Sequence, residues 1–150
     1  IQEEINYLKK YLEIMKLRYT DRFDVKFSLA PDCSIYPVKK MILQPLVENA
    51  IYHGIKEKKE KGLISISIHR KKDRIYFTIY DTGRGIPADQ LASIRAGLKE
   101  TSRNSNQHIG LASTNSRLVL SYGEGSVLHM NSRCGKFTVI WFSIPVPDET

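Results

Sequence analysis

Ile64, Ile66 and Ile68 alternate with Ser65, Ser67 and His69, and the alternation resumes as Ile75, Phe77 and Ile79. A period of two puts every second side chain on one face, so residues 63–69 and 74–81 read as half-buried strands. The dyad Lys72-Asp73 makes a tight polar connection between them, which predicts an antiparallel hairpin with one apolar face. Such a face has to be covered, and helical segments elsewhere in the chain are the available cover. Parity carries one step further. Asp81 follows Ile75, Phe77 and Ile79 on the apolar face, so the hairpin ends in a carboxylate pointing inward. A buried carboxylate needs a donor.

The remaining chain supplies strands and helices in alternation. Ile1, Ile5, Leu8, Leu12, Met15 and Tyr19 recur at three- and four-residue steps, which predicts a helix over 1–20. That stripe reads either as core packing or as the end of a longer bundle helix. Phe23, Val25, Phe27 and Leu29 form a further alternating strand, ended by Pro31-Asp32. A second helix is expected from Pro37 to about Ile55, with Pro45 inside it. A proline in a helix interior costs about 3 kcal/mol, so a kink or a restart is expected at Pro45. Weak helical character at 88–98 precedes a polar run from Lys99 to Gln107 that holds no apolar anchor, which makes 99–108 the expected mobile lid. A third helix spans 111–122, ending at Gly123, and strands are expected at 127–130 and 137–144. The sum is an α/β (α+β) two-layer sandwich: a mixed sheet of about five strands with helices on one face.

At 150 residues and 17.2 kDa the chain suits one domain with a substantial core. No apolar run approaches the roughly 20 residues of a membrane span, and no signal-peptide pattern opens the chain. It starts mid-pattern on Ile1-Gln2-Glu3-Glu4, as an excised piece of a longer protein would. Cys33 and Cys134 lack paired metal-site spacing and read as buried or half-buried thiols in a reducing compartment. The net charge of +7 raises nucleic acid as a partner. However, the lysines sit in short clusters mixed with Glu57 and Glu60, with no aromatic-interleaved stripe, so no nucleic acid is expected.

Three segments carry chemistry. Asn49, His53 and Lys56 share one helix face, while Leu43, Val47, Ala50 and Ile51 lie on the other. A polar stripe is ordinarily a solvated face, yet Asn49 stands inside a strongly apolar run, and its amide oxygen is a hard donor suited to Mg²⁺. Asp81-Thr82-Gly83-Arg84-Gly85-Ile86-Pro87 follows the hairpin. It is either a common surface turn or a buried carboxylate for a purine amino group, with glycines that admit a flat base. Finally, His108-Ile109-Gly110-Leu111 leads a polar loop into a helix start, where free N–H groups favour anions, although a lone glycine there says little.

In this order the segments resemble the catalytic ATP-binding domain of sensor histidine kinases of the LytS/YesM-like type, a Bergerat-type fold shared with Hsp90, DNA gyrase and MutL. The Gln-Pro-Leu-Val-Glu-Asn-Ala-Ile-x-His-Gly run matches Gln44 to Gly54, and Asp-x-Gly-x-Gly-Ile matches Asp81 to Ile86. Asn115 to Leu118, Tyr122-Gly123, and Gly135, Thr138, Ile144 and Pro145 fit the later motifs, and Tyr11 to Ile14 with Arg18 to Arg22 resemble the family's entry into the domain. The resemblance implies Mg²⁺ on Asn49 and the adenine amino group on Asp81. It also implies a base-side loop at Gly83 and Gly85, phosphates facing Gly110 and Leu111, and Thr138 supporting Asp81 through water. With the polar face and the lid, the ATP-binding set is Asn49, His53, Lys56, Asp81, Gly83, Gly85, Ile86, His108, Gly110, Leu111 and Thr138.

Departures from the pattern are His108 for a glycine, Ser113 for an asparagine, Tyr52 for a frequent lysine and Phe137 for a late glycine. Hydrolysing relatives carry a glutamate one turn before the metal-binding asparagine. This chain has Pro45 there, so transfer to a protein acceptor rather than to water is implied. No acceptor histidine stands in the family's context within the chain. The implied protein is a two-component kinase: residues 1–20 are the end of a linker or dimerisation helix and 21–150 the catalytic domain, on the cytoplasmic side of a membrane sensor. Its implied partners are an upstream phosphoacceptor domain, a second copy in the full-length protein and a response regulator. The alternatives are a degenerate nucleotide-binding module without phosphotransfer and a basic scaffold or nucleic-acid-binding domain.

Overall fold

The computed structural model describes residues 1–99 and 109–147, with the side chain of Ile109 left out. Helix α1 (Gln2–Arg18) leads into β1 (Phe23–Leu29), and a short helical turn at Pro31–Cys33 ends the strand. Helix α2 (Leu43–Asn49) continues without a break into a π-helical segment, Ala50–Ile55. The hairpin of β2 (Gly62–Lys71) and β3 (Arg74–Asp81) comes next, then α3 (Ala88–Lys99), α4 (Ile109–Tyr122), β4 (His129–Arg133) and β5 (Phe137–Pro145). The strands form one sheet in the order β1-β2-β3-β5-β4. β1 runs parallel to β2, and the other neighbours are antiparallel.

The alternation seen in the sequence decides which face is buried. Ile66 faces Ile79, Ile68 faces Phe77, and Phe77 faces Phe142, whose ring stacks on it at 4.7 Å. These residues, with Phe23, Ile64, Ile75 and Ile144, are buried, whereas Ser65, Ser67, Tyr76, Thr78, Tyr80, Val139 and Trp141 on the opposite face are half-exposed. All the helices therefore cover one face of the sheet, as expected. The stripe on α1 belongs to this core: Ile5, Leu8, Leu12 and Met15 are buried with the strand residues, each contributing about 1.5–3 kcal/mol.

The second helix differs from the expectation. Residues 37–42 form no helix, and α2 starts at Leu43. Met41 has a left-handed backbone with φ of +57°, which no helix interior accommodates. Pro45 is consequently the third residue of α2, where a backbone N–H has no helical partner to lose, so it causes neither kink nor restart. The later helices begin and end within two residues of their expected limits, and the fourth strand runs on to Arg133. The expected lid at 99–108 lies, except for Lys99, outside the described residues. Cys33 is buried as expected, but Cys134 is exposed on the β4–β5 turn.

Candidate nucleotide site

The apolar helix and the carboxylate motif meet through backbone. In the π segment the Lys56 N–H reaches back five residues to the Ile51 carbonyl at 2.9 Å, which widens the turn around Gly54. A Cβ on Gly54 would stand 2.6 Å from Asp81 Oδ1, and one on Gly83 would collide with the Gly54 backbone. The Arg84 N–H closes the contact by donating to the Gly54 carbonyl at 3.0 Å. Two motifs thirty residues apart thus share a junction that only glycine fits on either side. Gly54 escaped the sequence-based set because its role depends on a neighbour that local spacing does not reveal.

Asp81 forms the floor of this junction. Its side chain is 3% exposed and accepts the Gly83 N–H at 2.8 Å. Burial pushes its carboxyl up to about 7, opposed by the Gly83 hydrogen bond and the Lys58 charge. Lys58 itself donates to the Thr82 carbonyl at 2.8 Å. A carboxylate offers about four acceptor positions. Among the described residues Gly83 is the one hydrogen-bond donor to it, so capacity remains for an incoming amino group.

Opposite Asp81 on β5 stands Thr138, buried, with its hydroxyl 2.8 Å from Ser132 Oγ. Ser132 accepts the Ile86 N–H at 2.8 Å and donates to the Phe137 carbonyl at 2.7 Å, tying the base-side loop to the β4–β5 hairpin. Gly85 adopts φ of +66°, and a Cβ there would run into the Arg133 carbonyl. Ser132 was missed from the sequence, although it shares the inward parity of Met130. The expected strand stopped at Met130, so that signal was not followed.

The remaining candidates divide. Asn49 ends α2 and is half-buried, while His53 and Lys56 are exposed. The His53 carbonyl accepts Arg84 Nε at 2.8 Å, and Arg84 also pairs with Glu57. Gly110 is exposed in the first turn of α4, and among the described residues no atom lies within 4 Å of where a Cβ would stand there. Leu111 buries its side chain in the core and leaves only its backbone for a ligand. His108 lies outside the described residues. Asn115 bridges elements instead of facing a ligand, donating to the Leu98 carbonyl at 2.9 Å and accepting the Leu128 N–H at 2.8 Å.

A family model described as histidine kinase-, DNA gyrase B-, and HSP90-like ATPase matches residues 39–148. The chain belongs to this ATPase family. Its ATP-binding fold contains both halves of the junction, while α1 and β1 precede the matched region. Among curated proteins the ATPase chain is 31% identical over 139 residues to Sensor protein LytS of Staphylococcus epidermidis, covering 93% of this chain and 23% of that protein. It is 28% identical over 146 residues to Sensor protein kinase HptS of Staphylococcus aureus, covering 97% of this chain and 28% of that one. The chain thus spans about a quarter of the length of these relatives. Among solved structures, the catalytic domain of histidine kinase ThkA superposes with a TM-score of 0.72 at 19% identity, covering 96% of this chain and 90% of that one. ThkA in complex with response regulator protein TrrA gives 0.66 at 19% identity, covering 98% and 40%. These structural likenesses speak for the fold.

Proposed function

We propose that this ATPase-family domain is the catalytic part of a sensor histidine kinase, transferring the γ-phosphate of ATP to a histidine outside the chain. The observation that carries the reading is the inward Asp81 at the Gly54–Gly83 junction, a buried acceptor with unused capacity beside a backbone bare enough for a flat base. Asp81 accepts the adenine amino group, and the loop from Gly83 to Ile86 lines the base. Thr138 steadies Asp81 from the neighbouring strand. His53, Lys56, His108 and the backbone at Gly110 and Leu111 complete the ATP set on the phosphate side.

Asn49 is proposed as the protein ligand of Mg²⁺. Among the described residues no cluster of three His, Cys, Asp or Glu side chains is arranged to hold a metal. A single amide oxygen completed by phosphate and water oxygens fits Mg²⁺ better than it fits a transition metal. Bound there, the ion neutralises charge on the transferring phosphate. The chain's own residues orient ATP and exclude misplaced conformers, which is the larger share of catalysis in phosphoryl transfer. A base for water is missing from the expected place: Pro45 stands one turn before Asn49, and Glu48 turns toward Gln44, whose amide it accepts at 3.1 Å. This supports a protein acceptor over hydrolysis.

The same reading makes α1 the end of a linker helix, residues 1–20, entering a catalytic domain at 21–150. It makes the partners an upstream phosphoacceptor domain, a second copy and a response regulator, and it places the domain on the cytoplasmic side of a membrane sensor. Among the described residues no helix is long and apolar enough to cross a membrane. Ser113, one of the two departures behind the non-transferring alternative, is exposed on α4 and adds nothing in its favour.

The test is incubation of the full cytoplasmic protein with ATP labelled in the γ-phosphate. Acid-labile, alkali-stable label on an upstream histidine is the expected result, abolished by Asp81→Asn. Release of phosphate with no labelled protein would favour hydrolysis, and ATP binding without either would favour the non-transferring module.

A further inference from the structure

Among the described residues two acidic side chains are buried, Asp81 and Glu4, and the second has no part in the pocket. Glu4 stands on α1 and is 6% exposed. Its Oε2 accepts the Met41 N–H at 2.9 Å and its Oε1 the Leu43 N–H at 3.0 Å. Leu43 is the first residue of α2, so Glu4 satisfies an amide that the helix itself leaves without a partner. It also sets a carboxylate at the positive end of that helix. Hydrogen bonds to a charged acceptor are the strong ones, and of these two the Leu43 bond is buried and the Met41 bond partly buried.

The turn that Glu4 holds is gripped from the other side by α4. Arg117 donates to the Lys40 and Met41 carbonyls at 2.5 and 2.9 Å, and the Lys39 N–H donates to the Tyr122 hydroxyl at 2.9 Å. Further along, α1 and the residue that ends it approach α2 and the π-helical segment that continues it. Burial and the neighbouring Glu48 carboxylate raise the Tyr11 phenol above its ordinary value, and Tyr19 meets Tyr52 edge-on with ring centroids 6.1 Å apart. Hydrogen bonds from Glu4 fall at Met41 and Leu43, and the ring of Tyr19, just past the end of α1, falls on Tyr52. Asn49 lies inside that span.

We propose that Glu4 is a positioning residue for the nucleotide site: by holding the Met41 and Leu43 amides it fixes the helix that presents Asn49, so the placement of α1 and the occupation of the pocket are coupled. The proposal rests on reading the Asn49–Asp81 pocket as the ATP site. Linkage makes the coupling reciprocal: if the packing of α1 alters nucleotide affinity, nucleotide alters the packing of α1 by the same factor. Glu4→Gln keeps the side-chain volume but turns an NH₂ group toward one of the two backbone donors, so one hydrogen bond is lost without opening a cavity.

The experiment combines calorimetric titration with ATP and Mg²⁺, urea denaturation, and amide hydrogen exchange of α1, Met41 and Leu43 with and without that nucleotide. In the wild-type chain, saturation is expected to slow exchange in α1. In Glu4→Gln, nucleotide affinity is expected to fall about fivefold or more, the usual lower range of coupling between sites, and the α1 response to disappear. A merely structural glutamate would move the urea midpoint alone, so a less stable variant that binds with wild-type affinity overturns the proposal. So does a wild-type chain that binds ATP with no change in α1 exchange. A wild-type chain that binds no ATP refutes the pocket reading first, and the proposal with it. Should Glu4→Gln not fold, Tyr19→Leu makes the same comparison at the other end of α1, and unchanged affinity together with an unchanged response in that variant overturns the proposal.

Discussion

Asp81 carries an electrostatic penalty that the apo fold tolerates. Its carboxyl is raised from 3.8 to about 7, so between those pH values the unfolded chain ionises first and the native state binds more protons. Stability attributable to this residue therefore falls as pH rises from about 4 to about 7, by roughly 4 kcal/mol in all, and is level above that window. Asp81→Asn removes the titration while keeping an oxygen for the Gly83 N–H. The variant is expected to be more stable than wild type at pH 8, with a narrower margin at pH 5, as read from urea midpoints. Its affinity for ATP should nonetheless drop at least tenfold by calorimetry, since a charge-assisted hydrogen bond contributes about 1.5–3 kcal/mol. Gly54→Ala tests the junction from the other side. The added methyl meets the Asp81 oxygen at 2.6 Å, so a loss of about 1–3 kcal/mol of stability, together with nucleotide binding, is expected in the same assays. Asp81's inward direction was legible from parity alone. The demand for glycine at 54 was not, because it arises from a carboxylate 27 positions away.

At the scale of elements, the run from Leu43 to Ile55 shows what periodicity can and cannot give. Its apolar spacing announced a helix, but the chain makes about two turns of α-helix and then a π segment, and no residue type marks that change of hydrogen-bond pattern. The expected start at Pro37 failed for a tertiary reason: the turn before Leu43 is shaped by Glu4 and Arg117, each distant in sequence. Pro45 lies in the first turn, so Pro45→Ala is expected to change stability by less than about 1 kcal/mol in urea denaturation, against about 3 kcal/mol for a true helix-interior proline. Asn49→Ala addresses the other end of α2. Loss of the Mg²⁺-dependent part of ATP binding, with weak metal-free ADP binding retained, is the expected calorimetric outcome. Equal losses with and without Mg²⁺ would make Asn49 a structural residue.

For the whole molecule, the alternation in β1, β2 and β3 already implied a sheet with one dry face, and the two-layer arrangement follows from it. The nearly all-apolar sequence of β5, by contrast, hid the same alternation that its burial shows. Strand order did not follow, since β5 inserts between β3 and β4 through contacts of long sequence separation. The wet face has an optical consequence. Trp141 is the chain's one tryptophan, and it stands on that face stacked against His129 with ring centroids 5.5 Å apart. Asp81, on the buried side of the adjacent strand, looks away from it. Intrinsic emission should therefore follow denaturation faithfully, yet a titration with ATP is expected to leave the spectrum of the folded chain nearly unchanged. A fluorescent reporter of ligand has to be introduced on the helical side, where the chain has tyrosines but no indole of its own.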